Sequence, residues 1–210
     1  MKLFRTTNHQ RNWWQKRKID WTKDYLSTWN HPHRFLITEI LKTFNWFSLI
    51  EIGCGAGENL VNILKAIPDK QLGGIDINPD AIEVAKQSFV GGIFKVCPAD
   101  DVMMSDKSTD VILSDACLIY VSSWDIKRHI REVKRIARTH IIFCELHSTN
   151  WWKRLKMKFS SGYNVYNYKT LLTKMGFYDI SLFKIPKELW PGTPWEEYGW
   201  IILAKVPKRG

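Results

Sequence analysis

The stretch LIEIGCGAGENL, residues 49–60, passes from an apolar run to a helical pattern through three glycines. Its first residues, LIEI, are typical of a buried strand. Gly53, Gly55 and Gly57 then follow at alternate positions. Glycine is favoured where the backbone turns sharply or where another group approaches it closely. The stretch therefore predicts a tight strand-to-helix turn against which a ligand can lie.

The sequence around this turn alternates between predicted strands and predicted helices. The strands are 47–53, 71–78, 92–97, 108–115 and 139–146. The helices that flank or separate them are 33–44, 58–67, 79–89 and 123–138. Continuous apolar strands between amphipathic helices are typical of a parallel sheet that is covered on both faces. A further helix at 167–177 and strands at 178–185 and 200–206 are predicted to complete the fold.

Ligands of open parallel sheets bind at the carboxyl ends of the strands, so a dinucleotide and another nucleoside compete for the glycine turn. The dinucleotide pattern G-x-G-x-x-G needs a third glycine three places after the second. That place is Glu58 or Leu60, according to which glycine is counted first. A carboxylate at the start of the helix also disfavours a pyrophosphate there. The spacing favours a nucleoside ligand that carries no phosphate at this turn.

The pattern Glu51-x-Gly53-x-Gly55-x-Gly57 resembles motif I of the class I S-adenosylmethionine (SAM)-dependent methyltransferases. The resemblance implies an α/β fold, a three-layer Rossmann-like sandwich whose mostly parallel, seven-stranded sheet has an antiparallel last strand. It also implies SAM as the cofactor and S-adenosylhomocysteine (SAH) as the product. We expect one domain, residues 1–210, with a helical and aromatic cap (1–45), a SAM-binding core (46–146) and a substrate-side segment with a terminal hairpin (147–210).

The resemblance also assigns cofactor-binding residues. Asp76 ends the second predicted strand, where an acid accepts hydrogen bonds from the ribose hydroxyls. After the third strand the family has an acid that contacts the adenine, but Pro98 stands at that place. Asp100, or else Asp101, is expected to replace it, and a surface turn is the alternative role of both. The full predicted set is Glu51, Gly53, Cys54, Gly55, Gly57, Asp76, Ile77, Asp100, Asp101 and Asp115.

Candidate catalytic residues follow the fourth and fifth predicted strands, at the edge where the cofactor's methyl group is expected. Methyl transfer is an in-line displacement that needs at most one proton acceptor. His147 is predicted to be this base, because a neutral imidazole works near pH 7; a structural histidine is the alternative. Asp115 and Tyr120 complete the catalytic set, although cofactor binding or helix capping is favoured for Asp115 over the role of a base.

His31, His33 and Arg34 are clustered in the segment NHPHR, residues 30–34, and are candidates for a wall of the substrate pocket. Helix capping at the surface is the alternative role of these side chains. Glu145, two residues before His147, is a further polar group at the same predicted sheet edge.

The composition argues against several classes of site. The four cysteines are scattered without metal-ligand spacing, which predicts reduced, mostly buried thiols, Cys117 included, and no metal site. The segment SDAC, residues 114–117, lacks the Asn/Asp-Pro-Pro-aromatic motif of the family's amino-methylating adenine and glutamine enzymes. An apolar run long enough to cross a membrane is missing, so we expect a cytoplasmic protein, with peripheral membrane attachment as the alternative.

The chain carries a net charge of +10, and two of its basic segments are rich in aromatic residues. These are NWWQKRK, residues 12–18, and WWKRLKMKF, residues 151–159. The second is predicted to be a lid over a substrate pocket, with a surface helix at an anionic membrane and a nucleic-acid grip as alternatives. We therefore expect methylation of O or N in a small, acidic molecule, with no obligate protein partner. The alternatives are an RNA substrate and a lipid-like substrate at an anionic membrane.

Overall fold

The computed structural model describes residues 6–89 and 91–207. The first five residues of the predicted cap and the last three of the predicted substrate-side segment lie outside the described residues. The strands are β1 (Ser48–Ile52), β2 (Gln71–Asp76), β3 (Ile93–Val96), β4 (Thr109–Asp115), β5 (Ala137–Leu146), β6 (Tyr178–Lys184) and β7 (Gly199–Lys205). The helices are α1 (Thr7–Gln15), α2 (Trp21–Asp24), α3 (Pro32–Leu41), α4 (Glu58–Ala66), α5 (Pro79–Ser88), α6 (Ile126–Ile136), α7 (Trp151–Ser161), α8 (Tyr168–Lys174) and α9 (Trp195–Tyr198).

The strands form one seven-stranded sheet in the order β3-β2-β1-β4-β5-β7-β6. The first five in this order pair in parallel, and β7 pairs antiparallel with both β5 and β6. The predicted mostly parallel sheet with an antiparallel last strand is therefore confirmed. Because β1, β2 and β4 are parallel neighbours, their carboxyl ends meet at one edge of the sheet.

The core consists of two apolar layers, one on each face of the sheet. All five residues of β1 are buried. Leu49 belongs to one layer, whereas Ile50 and Ile52 belong to the other. Successive side chains of a strand point to opposite faces, so a central strand covered on both sides needs an apolar residue at nearly every position. Glu51 interrupts this run, which marks it as a residue with a role other than packing.

The cap was predicted to be helical, but α1 and α2 were not located in the sequence, and the packing of α1 explains why. The buried residues of α1 are Thr7 and Gln10, which are polar, so the sequence lacks the apolar stripe that would predict a helix here. Thr6 caps it by accepting a hydrogen bond from the backbone N–H of His9. α6 is shorter than the predicted 123–138 at both ends: it runs from Ile126 to Ile136, and β5 begins at Ala137 without an intervening turn.

The four cysteines are free thiols. Cys54, Cys97 and Cys144 are buried as predicted, whereas Cys117 is half-buried, which the sequence prediction did not anticipate. Among residues 6–89 and 91–207, none of the helices combines the length and the apolar character needed to span a bilayer.

Two of the three glycines in the turn after β1 are required by packing within the chain. Both have positive φ angles, 68° at Gly53 and 88° at Gly57. A Cβ atom at Gly53 would lie 2.5 Å from the sulfur of Cys117. A Cβ atom at Gly57 would lie 2.9 Å from the ring of Phe89. Close approach of other chain segments is enough to explain these two positions.

Replacing Gly57 by Ala should therefore destabilise the fold through two effects, a strained φ and a clash with Phe89. Gly192 is a matched control, because its φ is 86° but nothing lies within 4 Å of an added Cβ. The φ term alone should cost Gly192→Ala about 1–2 kcal/mol. The clash should cost Gly57→Ala roughly a further 1–3 kcal/mol. Urea denaturation of both variants measures the difference, and equal losses would show that Phe89 does not constrain this turn.

Candidate active site

A cavity of about 300 Å³ lies at the carboxyl ends of β1, β2 and β4. Of the residues predicted to bind the cofactor, those that line it are Glu51, Gly53, Gly55, Asp76, Ile77 and Asp115. Tyr120, from the predicted catalytic set, also lines it. The switch in strand order between β1 and β4 explains the position, since the helices that follow the two strands diverge to opposite faces there.

Gly55 is the glycine of the turn whose missing side chain opens toward the cavity. Its φ is 53°, and an added Cβ would meet the Glu58 carboxylate at 3.3 Å. The backbone N–H of Gly55 donates to Asp76 Oδ2 at 3.0 Å, and that of Asn78 donates to Oδ1 at 2.8 Å. Burial raises the pKa of Asp76 despite these hydrogen bonds. Asp76 thus holds the glycine turn in place while its carboxylate forms part of the cavity wall.

Glu51 and Glu58 add two more buried carboxyl groups to the wall. Burial raises the pKa of Glu51 well above its usual value, and its Oε1 accepts a hydrogen bond from Asn59 Nδ2 at 2.6 Å. Burial raises the pKa of Glu58 to about 7, although the Arg34 guanidinium lowers it in part. A pKa near 7 means that Glu58 changes its charge under physiological conditions.

Asp115 is the polar centre of the site. Its Oδ2 lies 2.8 Å from His33 Nε2, 3.1 Å from Arg34 Nη1 and 3.0 Å from Asn59 Nδ2. Burial opposes ionisation of this carboxyl, but the imidazole and guanidinium outweigh it and lower its pKa below the usual range. An ionised carboxylate with three donors on one oxygen serves as an anchor for α3 and α4, and it is a poor proton acceptor.

The cluster of His33, Asp115 and Cys144 brings three metal-ligating atoms within 4.8 Å of one another. However, the Arg34 guanidinium contacts the same Asp115 oxygen as His33 does. A cation held by this oxygen would be repelled by the guanidinium. His33 also lies against the indole of Trp190, with ring centroids 3.8 Å apart. These contacts describe a hydrogen-bonded and stacked cluster better than a metal centre.

Three buried carboxylate oxygens of the cavity residues have no hydrogen-bond partner in the described part of the chain. They are Glu51 Oε2, Glu58 Oε2 and Asp115 Oδ1. Buried polar atoms are almost always hydrogen-bonded in folded proteins. Three unpaired carboxylate oxygens around one cavity therefore fit a ligand that carries positive charge and hydrogen-bond donors.

The N-terminal residues 7–28 form a roof over the cavity. Arg11, Trp14, Trp21 and Tyr25 are among the residues that this roof contributes to the lining. It is held by apolar packing of Trp21 against Ala56 and Ala81 and by polar contacts. Thr7 Oγ1 donates to Asp125 Oδ2 at 2.5 Å. Asn78 Nδ2 donates to the carbonyl oxygens of Trp14 and Arg17 at 2.8 and 2.9 Å.

Five aromatic side chains form one wall of the cavity, and sequence reasoning had found Tyr120 but missed the other four. Trp14, Trp21, Tyr25, Tyr120 and Trp190 all line the cavity. Trp14 and Tyr120 pack edge to face, with centroids 5.2 Å apart. Burial raises the pKa of Tyr120, so its hydroxyl stays protonated and can donate a hydrogen bond. The richness of residues 1–30 in tryptophan was the available signal, but it gave no indication of which rings face inward.

His147, the predicted base, does not line the cavity. It is buried, and its Nδ1 accepts the backbone N–H of Tyr168 at 3.1 Å. Its own backbone N–H donates to the carbonyl of Tyr198 at 2.8 Å. Burial lowers the pKa of the imidazole to about 4. These contacts match the structural alternative, in which His147 connects the end of β5 to α8 and α9.

Asp100 and Asp101 also lie away from the cavity, whose lining in this region consists of Cys97, Pro98 and Ala99. Asp100 forms ion pairs with Arg11, at 2.5 Å, and with Arg128. The carboxylate is thereby turned toward the roof and α6.

Cys54 and Gly57 also belong to the predicted cofactor set. They lie in the glycine turn, on the side that faces away from the cavity. The side chain of Cys54 packs against Gly74 of β2, where an added Cβ would come within 2.5 Å of its sulfur. Gly57 faces Phe89, as described above. Both residues shape the turn through contacts within the chain, and neither is part of the cavity lining.

Glu145 stabilises the turn after β4, which forms part of the cavity wall. Its Oε1 accepts hydrogen bonds from Ser114 Oγ and from the backbone N–H groups of Cys117 and Leu118, at 2.7–3.0 Å. Burial raises its pKa to about 8. The carboxyl group fixes the turn after β4, which carries Cys117 and Tyr120 into the cavity wall.

α7 does not cover the cavity, contrary to the lid prediction. Among the described residues, those that line the cavity lie outside this helix. Trp151 is 53% exposed and Trp152 is 64% exposed. The buried residue of α7 is Met157, on its opposite side.

Comparison with known proteins shows what this architecture is similar to. Residues 49–140 match the family model of a methyltransferase domain. A chain of the Haloferax volcanii complex between the Trm112 methyltransferase activator and a methyltransferase is 16% identical, with a TM-score of 0.67 over 94% of this chain and 97% of that chain. The plantazolicin methyltransferase BpumL, solved with a monoazolic desmethylPZN analog and SAH, is 16% identical, with a TM-score of 0.67 over 96% of this chain and 95% of that chain.

The SAH-bound magnesium protoporphyrin IX methyltransferase of Synechocystis is 13% identical, with a TM-score of 0.63 over 97% of this chain and 96% of that chain. Identities this low show a shared fold. The match to the family model adds sequence evidence to the shared fold, because the matched residues include the strands and the glycine turn that build the cavity. Residues 49–140 therefore match a methyltransferase domain, and the chain has the fold of solved SAM-dependent methyltransferases.

Proposed function

We propose that the protein transfers the methyl group of SAM to an oxygen or nitrogen atom of a small acceptor held against the aromatic wall. The observation that carries the proposal is the set of three unpaired, buried carboxylate oxygens on Glu51, Glu58 and Asp115. SAM carries a sulfonium and an ammonium group, and opposite charges attract strongly where water is excluded. When bound, SAM supplies a methyl group on a positively charged sulfur.

The proposed cofactor residues follow from these contacts. Gly55 permits close approach to the backbone, Asp76 offers its carboxylate to ribose hydroxyls, and Glu51 and Glu58 face the positive charges. Gly53 and Ile77 complete the lining on this side. Asp100, Asp101, Cys54 and Gly57 are left out of the set, because they do not line the cavity. An acidic wall also favours product release. Loss of the methyl group removes the sulfonium charge, so the carboxylates attract the product less strongly than SAM.

The acceptor is proposed to be largely apolar, in place of the acidic molecule expected from the net charge. The two arginines of the lining are both engaged, Arg34 with Asp115 and Arg11 with Asp100. Five aromatic rings line the same cavity. Flat apolar surfaces pack well against such rings, and the Tyr120 hydroxyl can orient an acceptor oxygen or nitrogen.

The catalytic contribution of the chain is proposed to be mainly positioning. Asp115 holds α3 and α4 around the site, and the rings exclude water from the displacement. His147 is left out, because its Nδ1 is occupied by Tyr168. Within the described residues, 6–45 are proposed to act as the cap of a single domain, 46–146 as its SAM-binding core, and 147–207 as the segment that completes the sheet.

Gly55→Val and Asp76→Ala should each weaken SAM binding. The valine side chain fills space at the cavity wall, and loss of the buried carboxylate removes hydrogen-bond acceptors. Each change should cost at least about 1 kcal/mol of binding free energy. Calorimetry with SAM and SAH measures this, with Gly91→Val and Glu83→Ala as controls at residues that do not line the cavity. Unchanged affinity in a folded Asp76→Ala protein would remove Asp76 from the site.

The affinity for SAM should rise with pH because of Glu58. Its pKa of about 7 in the free protein means that the carboxyl is partly protonated at neutral pH, and a cationic ligand favours the ionised form. Relative to Glu58→Gln, the wild-type affinity should rise about tenfold from pH 6 to pH 8. The comparison with the variant separates Glu58 from titration of the ligand's own amine. Glu83→Gln, at an exposed acid of α5, is the control, and parallel pH profiles for wild type and Glu58→Gln would contradict the assignment.

The class of acceptor can be tested with methyl-labelled SAM and an extract of the source cells. The labelled methyl group should appear in the organic phase as a small apolar product. The Asp76→Ala protein serves as the control for labelling by contaminating enzymes. Label recovered in the RNA fraction, and absent with Asp76→Ala, would replace the proposed acceptor by RNA.

A further inference from the structure

α7 presents an exposed apolar face that the fold does not use. Its outward apolar side chains are Trp151, Trp152, Leu155 and Phe159, which are 53%, 64%, 38% and 50% exposed. With about 100° of rotation per residue, these four fall within an arc of about 100° on the helix surface. Met157, on the opposite side, is the residue that α7 buries against the domain. We call the four outward side chains the α7 stripe.

Cationic side chains lie on both sides of the α7 stripe. Lys156 follows it at about 40° on one side, and Lys158 lies about 20° beyond it on the other. Lys153 and Arg154 add two more positive charges, and the helix contains no acidic residue. Glu197 pairs with Lys153 at 2.9 Å and offsets one of these charges. A stripe of Trp, Leu and Phe between lysines is the pattern of helices that lie in the plane of a membrane interface.

We propose that the α7 stripe is a docking surface for an anionic membrane. The aromatic and aliphatic side chains would enter the boundary between headgroups and acyl chains. The flanking cations would contact acidic headgroups, each gaining about 1 kcal/mol near the surface. The docking needs no SAM, so its test is independent of the proposed methylation.

Two other partners fit the α7 stripe less well. Nucleic-acid grips stack bases on free aromatic faces. Trp151 and Trp152 instead stack on each other, with ring centroids 3.8 Å apart, so each has one face covered. A second copy of the chain would bring the same cationic helix and a net charge of +10 to the contact, and like charges repel.

Docking through α7 would place the membrane on the side of the sheet that carries the cavity. β5 pairs in parallel with β4, so Asp115 and Cys144 lie side by side at the sheet edge that carries the cavity. α7 begins only a few residues after β5 ends, at the same edge. A membrane that contacts the α7 stripe therefore lies on the cavity side of the sheet, where an amphipathic acceptor can be exchanged with the bilayer.

Vesicle flotation tests the proposal with the full-length protein. Vesicles of phosphatidylcholine mixed with phosphatidylglycerol should carry the protein upward, whereas vesicles of phosphatidylcholine alone should carry little. The Trp151→Ala/Trp152→Ala double variant should partition at least about tenfold more weakly, because two interfacial anchors are lost. Phe47→Ala is the control, since Phe47 is 61% exposed and precedes β1 at the opposite edge of the sheet.

Charge reversal tests the cationic flanks separately. Lys156→Glu should weaken binding to the mixed vesicles, and Lys86→Glu, at an exposed lysine of α5, should not. Phe159→Ala provides a second apolar variant if the double tryptophan variant folds poorly, which its circular dichroism spectrum and thermal unfolding would reveal.

Three results would overturn the proposal. One is failure of the wild-type protein to float with either vesicle. Another is vesicle binding that the changes in α7 leave intact. The third is salt-sensitive binding to a short single-stranded RNA that Lys156→Glu abolishes, without binding to vesicles, which would assign the stripe to nucleic acid.

Discussion

A single buried carboxylate, that of Asp115, connects the parts of the molecule that have to meet at the cavity. It ends β4, and its partners His33, Arg34 and Asn59 come from α3 and α4. Burying a charge is unfavourable unless it is paired and hydrogen-bonded. Because all three donors share one oxygen, any change that removes a partner leaves a costly charge in the interior. The geometry of the cavity is in this sense tied to the stability of the domain.

The glycine turn shows how one short motif meets several demands at once. Gly53 makes room for Cys117, Gly57 makes room for Phe89, and Gly55 faces the cavity. Three different neighbours therefore select the same residue type at alternate positions. A motif that reads as a ligand-binding signature is, at two of its three glycines, a requirement of the protein's own packing.

Sequence reasoning located the sheet well, because buried strands and amphipathic helices carry strong periodic signals. The strand-end residues Glu51, Asp76 and Asp115 could be placed for the same reason, since topology alone brings strand ends together. The roof and Trp190 could not be placed, because they pack through polar contacts and irregular loops that have no period. His147 illustrates a different limit: its position at a strand end was predicted correctly, but the neighbour that occupies its ring nitrogen was not visible in the sequence.

The polar attachment of the roof also governs how quickly the cavity can exchange its contents. Residues 7–28 are held by the Thr7–Asp125 hydrogen bond, the Arg11–Asp100 ion pair and two amide contacts from Asn78. Such contacts compete directly with water and salt, unlike the apolar layers on either face of the sheet. We therefore expect the roof to open before the sheet does, once its apolar contact, Trp21 against Ala56 and Ala81, is also lost. The lifetime of a bound molecule should shorten with rising ionic strength while the sheet beneath stays intact.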